Sequence, residues 1–419
     1  MLIVILFSGF TFKSAAQAYI SSPYSIYGVG TLFSNNSMNN MAMGGTSIAY
    51  RSAAFVNQAN PASYTAFDSL SFIFEGGLHG RLTTLRTLDA SYKDRYASLG
   101  YITMGFPVTN YWKASLGVLP YSSVGYNIKN EAFVEGVGNT EQQFSGTGGL
   151  NKAYIGNAVK LGKNFSVGAN LSYVFGTITK NRTILFPDSA YMLSTQSTSE
   201  AVIRNLYVDL GIQYHQKLKN NYFLNVGATF SPSQSLRAKR SYYMYTFDYD
   251  AINDINKNYD TVISVPDTAG KMKLPLSAGL GFSFGKTGRW SVGADAQFQN
   301  WSEYSFFEKN DLLKNSITVS VGGQYRPSIN DLGSYWQRVS YKGGFRYNSS
   351  HLEVLGTRLN DFGISFGVGL PLRKGSTINI AVETGTLGTT NNNLIKENYV
   401  KFTIGASLYE RWFLKRRYN

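Results

Sequence analysis

The sequence predicts an all-β protein, and within that class a transmembrane antiparallel β-barrel of about 14 strands with an N-terminal plug inside the lumen. Three observations support this prediction. The composition is low in charge and rich in aromatic residues, apolar and polar residues alternate in many segments, and the links between predicted strands are short on one side and long on the other. Each observation excludes a different class of competing fold.

The composition excludes helical membrane proteins and disordered chains. The 419 residues are 15% charged and 15% aromatic, with 42 glycines, 30 tyrosines and no cysteine. Typical globular chains have about 25% charged residues. Yet no segment after the first 12 residues offers the ~18 consecutive apolar positions of a membrane-spanning helix. Disordered chains have few aromatic residues, so the aromatic content argues against disorder. Because the chain has no cysteine, it has no disulfides and no thiolate metal sites.

The N-terminus predicts export. Residues 2–12 form an apolar stretch of signal-peptide length, and Ala16-Gln17-Ala18 is a small-x-small cleavage site. We therefore expect residues 1–18 to be a signal peptide, although no basic residue precedes the apolar run. A true start codon further upstream would account for that departure, and a short buried helix is the alternative. Without a second apolar segment, the exported chain is expected in the outer membrane of a Gram-negative bacterium.

Strict alternation of apolar and polar residues recurs from about residue 69 onward. This is the period of a strand whose two faces meet different surroundings. The clearest segments are 205–215, 290–299, 362–370 and 400–408. A β-sandwich alternates in the same way, so alternation alone leaves an extracellular sandwich or carbohydrate-binding β-domain open.

The links between the strands favour a barrel. The links after the second, fourth, sixth, eighth and twelfth predicted strands are short and polar, whereas the opposite side carries longer links such as 80–96, 181–200 and 241–270. Transmembrane barrels have short periplasmic turns and longer outer loops, so a barrel over residues 69–410 should begin and end in the periplasm. The predicted strands are 69–79, 97–108, 113–128, 142–161, 165–180, 201–218, 222–240, 271–285, 290–306, 315–326, 338–348, 359–372, 376–386 and 397–410.

The segment 19–68 does not alternate and is rich in Ser, Asn, Gly, Met and Tyr. Within it, MGGTSIAY at 43–50 precedes NQANPAS at 57–63. This pattern resembles the N-terminal signature of the FadL-type family of outer-membrane hydrophobic-compound transporters. The resemblance implies a fourteen-stranded barrel, the number reached above from the strand pattern, with residues 19–68 folded inside as a plug.

Four residues of this signature are predicted to anchor the plug. Gly44 and Gly45 permit positive φ or close backbone approach in a crowded lumen, while Pro61 fixes its own φ and holds Asn60 extended. Direct contact with a ligand is the alternative role. The chain departs from many family members at Arg51, which stands where they have an acidic residue after the Gly-Gly segment.

Pro120 lies within the predicted third strand, where its missing amide donor should interrupt the ladder. The family resemblance implies an inward kink in this strand that opens a lateral route into the outer leaflet. A bulge near the outer rim is the alternative, with equal weight. Because methionine adapts to irregular ligands, we expect the candidate path of a hydrophobic ligand to include Pro120 and the plug residues Phe33, Met38, Met41 and Met43.

We expect neither enzyme activity nor a cofactor, metal ion or nucleic acid. His79, His215 and His351 have no second ligand at a metal-binding spacing, and no Gly-x-Ser-x-Gly or phosphate-binding loop occurs. The net charge of +14 suits anionic outer-membrane lipid. Residues 411–419 are expected as a basic periplasmic tail, which serves as an interfacial anchor or as a docking peptide for a partner protein. Its candidate contact residues are Trp412, Phe413, Arg416 and Arg417.

Two functions of different classes follow. The first, implied by the family resemblance, is passive uptake of hydrophobic compounds such as long-chain fatty acids. The second is a non-transporting accessory or scaffold subunit of a multi-protein outer-membrane machine, for secretion or barrel assembly. The resemblance favours uptake, whereas predicted lumen-facing charges suit an oily conduit poorly. Those charges are Asp209, Asp295, Glu383 and Lys401.

Overall fold

The computed structural model describes residues 22–188, 191–250, 255–329 and 334–411. No helix in these ranges is long and apolar enough to cross a membrane. The two α-helices are single turns, α1 (Met38–Met41) and α2 (Tyr335–Arg338). The strands are β1 (Thr31–Leu32), β2 (Ser71–Arg86), β3 (Ser91–Pro107), β4 (Trp112–Val134), β5 (Gly138–Leu161), β6 (Phe165–Leu185), β7 (Ser194–Lys217), β8 (Tyr222–Ser231), β9 (Gln234–Asp250), β10 (Ile255–Leu274), β11 (Ser277–Lys286), β12 (Trp290–Gln299), β13 (Ser305–Phe306), β14 (Ser316–Tyr325), β15 (Ser340–Val354), β16 (Thr357–Pro371), β17 (Thr377–Leu387) and β18 (Lys396–Arg411).

The strands β2 to β18 form one antiparallel sheet that closes on itself. The last strand, β18, pairs with β2 from Lys396 opposite Arg86 to Arg411 opposite Ser71. Three wall strands are interrupted, because β8 continues as β9, β10 as β11, and β12 as β13 after short breaks. Counted in this way, the described residues form fourteen wall strands. The predicted fold class and strand number are therefore confirmed.

The outer side of the barrel differs from the prediction. The long links expected at 80–96, 181–200 and 241–270 are largely strand, and β2 joins β3 through a turn at residues 87–90. Beyond the bilayer both faces of a strand are polar, so the alternation that marks a strand disappears while backbone pairing continues. With 23 residues in β4 and 24 in β5, against the ~9 to 11 that cross a bilayer, the hairpins extend outward.

The two faces of the wall have different surroundings. Along β2, Ser71, Ile73 and Glu75 are buried and face the lumen, whereas Leu78 and Leu82 are exposed on the outward face. The same alternation along the other strands forms an apolar outward belt, as expected where a wall meets lipid. Its exposed members include Ile155, Leu171, Leu206, Ile212, Leu280, Val292, Ile317, Phe366 and Phe402.

The wall opens between β3 and β4, and we call this opening the seam. In the described part of the chain these strands pair only between residues 102–107 and 113–118, although β3 continues outward to Ser91 and β4 to Val134. The short strand β1 pairs with β4 instead, at Ser122 and Ser123. The N-terminal segment thus covers part of the edge of β4 that β3 leaves free.

Candidate functional site

The N-terminal segment from residue 22 to residue 67 lies against the lumen face of the wall, and we call it the plug. Apart from β1 it consists of loops and single turns, namely Pro23–Ile26, α1 and Pro61–Ala66. Val56, Asn60 and Tyr64 are fully buried in it. The predicted limits of the plug, 19–68, stay a prediction, since residues 19–21 lie outside the described ranges.

The plug packs directly on inward-facing glycines of the wall, which we call the glycine belt. A Cβ atom at Gly168 would lie 2.6 Å from the carbonyl carbon of Pro61, and one at Gly344 would overlap the main chain of Met43. Only glycine permits so close an approach of two backbones. Among the described residues, the belt occupies twelve of the fourteen wall strands, with Gly77, Gly105, Gly156, Gly168, Gly211, Gly227, Gly279, Gly281, Gly293, Gly322, Gly344, Gly367 and Gly405.

Two buried carboxylates of the wall bind main-chain amides of the plug. Asp295 on β12 accepts hydrogen bonds from the amides of Ser47, at 2.5 Å, and Ile48, at 2.8 Å. Glu75 on β2 accepts one from the amide of Val56, at 2.8 Å. Because loop amides have no partner within a helix or strand, each needs such an acceptor when it is buried. The two carboxylates therefore fix separate parts of the plug to distant wall strands.

Asn60 and Arg51 add polar contacts that hold the plug. The Asn60 side chain donates to the carbonyl of Ile48 at 2.8 Å, and its oxygen caps the turn Pro61–Ala66. The Arg51 guanidinium donates to Gln213 Oε1 on β7, also at 2.8 Å. Burial lowers the pKa of Arg51 to about 10, so it stays charged at neutral pH. This basic residue is thus accommodated by an amide oxygen of the wall.

Gly44 and Gly45 both have a left-handed backbone, with φ of 68° and 85°. The Gly44 amide donates to the Ser365 hydroxyl on β16 at 2.7 Å. A Cβ atom at Gly44 would lie 2.7 Å from the carbonyl oxygen of Phe345 on β15. Both the positive φ and the close approach require glycine here, and both serve the contact between plug and wall.

The predicted ligand path stays a prediction, and two of its residues are buried against the wall. Met38 is 3% exposed and Met43 2% exposed, and each packs against belt glycines. The Met38 amide donates to the Tyr101 hydroxyl on β3 at 2.9 Å. Neither of the two measured cavities, of about 850 and 280 Å³, is lined by any of the five path residues. These residues are Phe33, Met38, Met41, Met43 and Pro120.

Pro120 lies where the wall opens. The pairing of β4 with β5 shifts register between Pro120 and Ser122, which is a bulge. On the other side of β4, pairing with β3 ends at Val118. The amide of Phe33 then donates to the carbonyl of Tyr121 at 3.0 Å. The structure therefore contains a bulge and a break in the β3–β4 pairing at this proline, with the plug hydrogen-bonded to the strand beside it, and the predicted lateral route stays a prediction.

A cluster of charged side chains lies on the lumen face of β15 to β18, toward the outer end. Arg346 pairs with Asp361 and Glu383 at 2.8 Å each, and Lys401 pairs with Glu383 at 3.2 Å. The Tyr399 hydroxyl donates to Asp361 at 2.7 Å. Buried charges of this kind are stable only when paired. Glu383 and Lys401 face the lumen, as their alternation predicted, and form a polar region that an apolar molecule would have to pass.

Several sites had no sequence signal specific enough to find them. Glu75 and Arg346 lie in ordinary alternating strands, and a glycine of the belt looks like any other strand glycine. One weak signal was available. Each belt glycine lies two or four residues from inward-facing residues of its strand, so the alternation places it on the lumen face. In the described ranges, no group of three or more His, Asp or Glu could hold a metal ion. The expected signal peptide lies outside these ranges, as do the predicted tail contacts Trp412, Phe413, Arg416 and Arg417.

The closed wall, the internal N-terminal segment and the seam define the class of protein, an outer-membrane β-barrel of FadL-like architecture. The Pseudomonas putida toluene transporter TodX is 17% identical, with a TM-score of 0.58 over 92% of this chain and 100% of that chain. The Ralstonia pickettii toluene transporter TbuX is 13% identical, with a TM-score of 0.58 over 90% and 99%. A Pseudomonas aeruginosa FadL homologue is 12% identical, with a TM-score of 0.55 over 91% and 100%. At these identities the likeness shows the fold alone.

The family is given by a second comparison. The family model BamG matches residues 1–419, the full sequence, and the chain belongs to this family. No curated protein matches the sequence. Family and fold together place the chain in the outer membrane of a Gram-negative bacterium, as the sequence predicted.

Proposed function

We propose that this chain is a closed barrel that serves as an accessory or scaffold subunit of a multi-protein outer-membrane machine. The observation that carries the proposal is the glycine belt, which lets the plug pack directly on twelve wall strands. The plug makes this contact with main-chain atoms at Gly168, Gly227, Gly322 and Gly344, and with side chains at the other belt glycines. A plug that rearranged to release a ligand would lose contacts around most of the circumference. Close-packed interfaces of this kind resist gradual opening, so we infer that the plug stays in place.

The family supports the same class of function. The name BamG points to a protein partner. In this role the barrel offers its outer surface to other proteins while the lumen stays closed. The long hairpin of β4 and β5 enlarges that surface beyond the bilayer.

Passive uptake of hydrophobic compounds is the second candidate, and the seam is the observation that favours it. TodX and TbuX carry the name of toluene transporters, and a gap between β3 and β4 would allow an apolar molecule to pass sideways into the outer leaflet. The charged cluster around Arg346 opposes this function, because an apolar ligand would desolvate the polar groups it passes.

A reversible lock between plug and wall separates the two functions. Thr31 lies directly opposite Ser123 in the pairing of β1 with β4, and opposite residues of an antiparallel pair have Cα atoms about 4.5 to 5.5 Å apart, which is within disulfide range. The chain has no cysteine of its own, so Thr31→Cys with Ser123→Cys allows one crosslink only. An accessory subunit should retain its partner proteins and support growth equally well with the plug locked or free.

The measurement is affinity purification from native outer membranes in mild detergent, with mass spectrometry of the proteins retained, beside an uptake assay with toluene and a long-chain fatty acid. Each single-cysteine variant is the control. A stoichiometric protein partner on the oxidised double variant supports the proposal. It is overturned if no partner is found and if oxidation abolishes uptake that reduction then restores.

A further inference from the structure

A cleft of about 850 Å³ lies on the outward face of the barrel, near its outer end. Two rows of residues, in register across β3, β2, β18, β17 and β16, form most of its lining. The lower row is Arg95, Leu82, Val400, Thr384 and Ile364. The upper row is Lys93, Thr84, Asn398, Thr386 and Phe362.

The cleft changes from apolar to polar toward the outer end. In the lower row, Leu82 is 50% exposed and Ile364 42% exposed, and both continue the apolar outward belt. In the upper row, Thr84 and Asn398 stand where the lower row has the aliphatic Leu82 and Val400, and β17 contributes Thr386 beside them. This change marks the level at which acyl chains give way to headgroups.

Two cations lie on β3 at this boundary, Lys93 in the upper row and Arg95 in the lower row. Lys93 lies opposite Thr84 and Arg95 opposite Leu82 in the register, so both belong to the outward face, and both are exposed. Within the described ranges, neither has an acidic side chain at salt-bridge distance. Asp94 also lines the cleft, but it alternates to the opposite face of β3 and is half-buried. The outward face therefore presents two positive charges without an acidic partner at the edge of an apolar surface.

The seam explains why the wall is concave here. A barrel wall is convex on the outside, yet residues 92–95 of β3 line the same cavity as Phe362 and Ile364 on β16. In its outer part, residues 91–101, β3 has β2 as its one strand partner among the described residues. Without β4 to hold it to the barrel curvature, the end of the β2–β3 hairpin can bend outward and form one side of the cleft.

We propose that this cleft binds a phosphorylated glycolipid of the outer leaflet, of the lipid A type. Its acyl chains would lie on the lower row, and a phosphate would lie between Lys93 and Arg95. Cations at headgroup level attract anionic lipid, and charge-assisted hydrogen bonds to phosphate oxygens are the strong ones. A zwitterionic lipid would not neutralise both charges. This site uses the outward face and is independent of the plug and of any protein partner.

The test is native mass spectrometry of the purified, delipidated barrel with lipid A added at increasing concentration. We expect wild type to hold one lipid A molecule, and Lys93→Gln with Arg95→Gln to weaken binding by roughly tenfold. The matched control is Arg204→Gln with Arg237→Gln. These two cations are also exposed on outward positions, opposite each other on β7 and β9, and do not line the cleft. The control pair should bind like wild type.

A second variant keeps the two cations and fills part of the cleft. Thr384→Trp would fill the lower row between Val400 and Ile364, and it should weaken lipid A binding although Lys93 and Arg95 remain. Dephosphorylated lipid A and phosphatidylethanolamine should bind wild type more weakly than lipid A does. The proposal is overturned if both glutamine pairs reduce binding equally, if Thr384→Trp binds like wild type, or if phosphatidylethanolamine binds as tightly. Heat-dependent mobility on gels checks that every variant is folded.

Discussion

At the scale of single residues, the belt glycines show what the plug requires of the wall. Their role is to leave out a side chain where the plug packs against the wall, so flexibility is not the reason for glycine. The pair Gly343 and Gly344 makes the point, because these neighbours on β15 face opposite sides of the wall. Gly344 lies under the plug, whereas Gly343 faces outward with its nearest potential neighbour at 3.8 Å.

Gly344→Ala is expected to loosen the plug, and Gly343→Ala is the matched control. Overpacking at residue 344 should cost about 1 to 3 kcal/mol. Arg51 is the one basic residue between positions 22 and 67, so trypsin cleavage after Arg51 reports release of the plug. We expect cleavage to be roughly tenfold faster in Gly344→Ala and unchanged in Gly343→Ala. Equal rates in both variants would show that the belt does not hold the plug.

Asp295→Ala is expected to release the plug more than Asp295→Asn. Alanine leaves the buried amides of Ser47 and Ile48 without an acceptor, and each unsatisfied group costs about 1 to 3 kcal/mol. Asparagine keeps one oxygen for them. Hydrogen exchange at these two amides measures the effect, with the amide of Val56, held by Glu75, as the internal reference. Protection unchanged in Asp295→Ala would contradict this role.

At the scale of elements, the wall depends on strand pairing and on charges that link neighbouring strands. Arg346, Asp361, Glu383 and Lys401 come from four successive strands, β15 to β18. At the seam the order of elements changes, since β1 of the plug takes the place beside β4 that β3 leaves. At this point one strand of the plug is therefore part of the wall, while the rest of the plug lies in the lumen.

Arg346→Met should destabilise the barrel by about 3 to 5 kcal/mol, because it leaves Asp361 and part of the charge of Glu383 buried without a partner. Lys239→Met is the control. It breaks an exposed pair with Asp267 at 3.3 Å, and such pairs contribute at most about 1 kcal/mol. Urea unfolding in lipid vesicles measures both free energies of unfolding. A loss below about 1 kcal/mol in Arg346→Met would contradict the importance of the cluster.

At the scale of the whole molecule, the barrel combines an occupied lumen with an incomplete wall. The glycine belt brings the plug against the wall around the circumference, while the seam leaves residues 91–101 of β3 without pairing to β4. The cleft with Lys93 and Arg95 lies on the outward face beside this seam. The cleft that we propose to bind lipid therefore lies on the outside of the barrel, and the plug lies inside it.

A planar bilayer should show this closed state directly. We expect wild type to give no steady ion conductance, because the plug fills the lumen at the belt. Gly344→Leu should produce open events, since a larger side chain under Met43 forces the plug from its place. Gly343→Leu, on the lipid side, should stay silent. Steady conductance in wild type would show that the lumen is open.

Much of the fold could be predicted because the signal for a strand in a membrane wall is local. Leu206, Leu210 and Ile212 alternate with polar residues within one segment, and they are exposed on the outward face. The outer hairpins were mistaken for loops because β-pairing there no longer produces alternation. The anchors Gly44 and Asn60 could be named from their local conformational chemistry, but their wall partners could not.

The sequence by itself determined the strands, their two faces, their number and the presence of an N-terminal segment that is not part of the alternating pattern. These follow from spacings of a few residues. Only the tertiary structure decided which glycines lie under the plug and that Arg346 pairs with Glu383. It also decided that residues 91–101 of β3 do not pair with β4. Such contacts join residues far apart in the chain. They depend on the register of strands and on the path of the plug, and no local spacing encodes either.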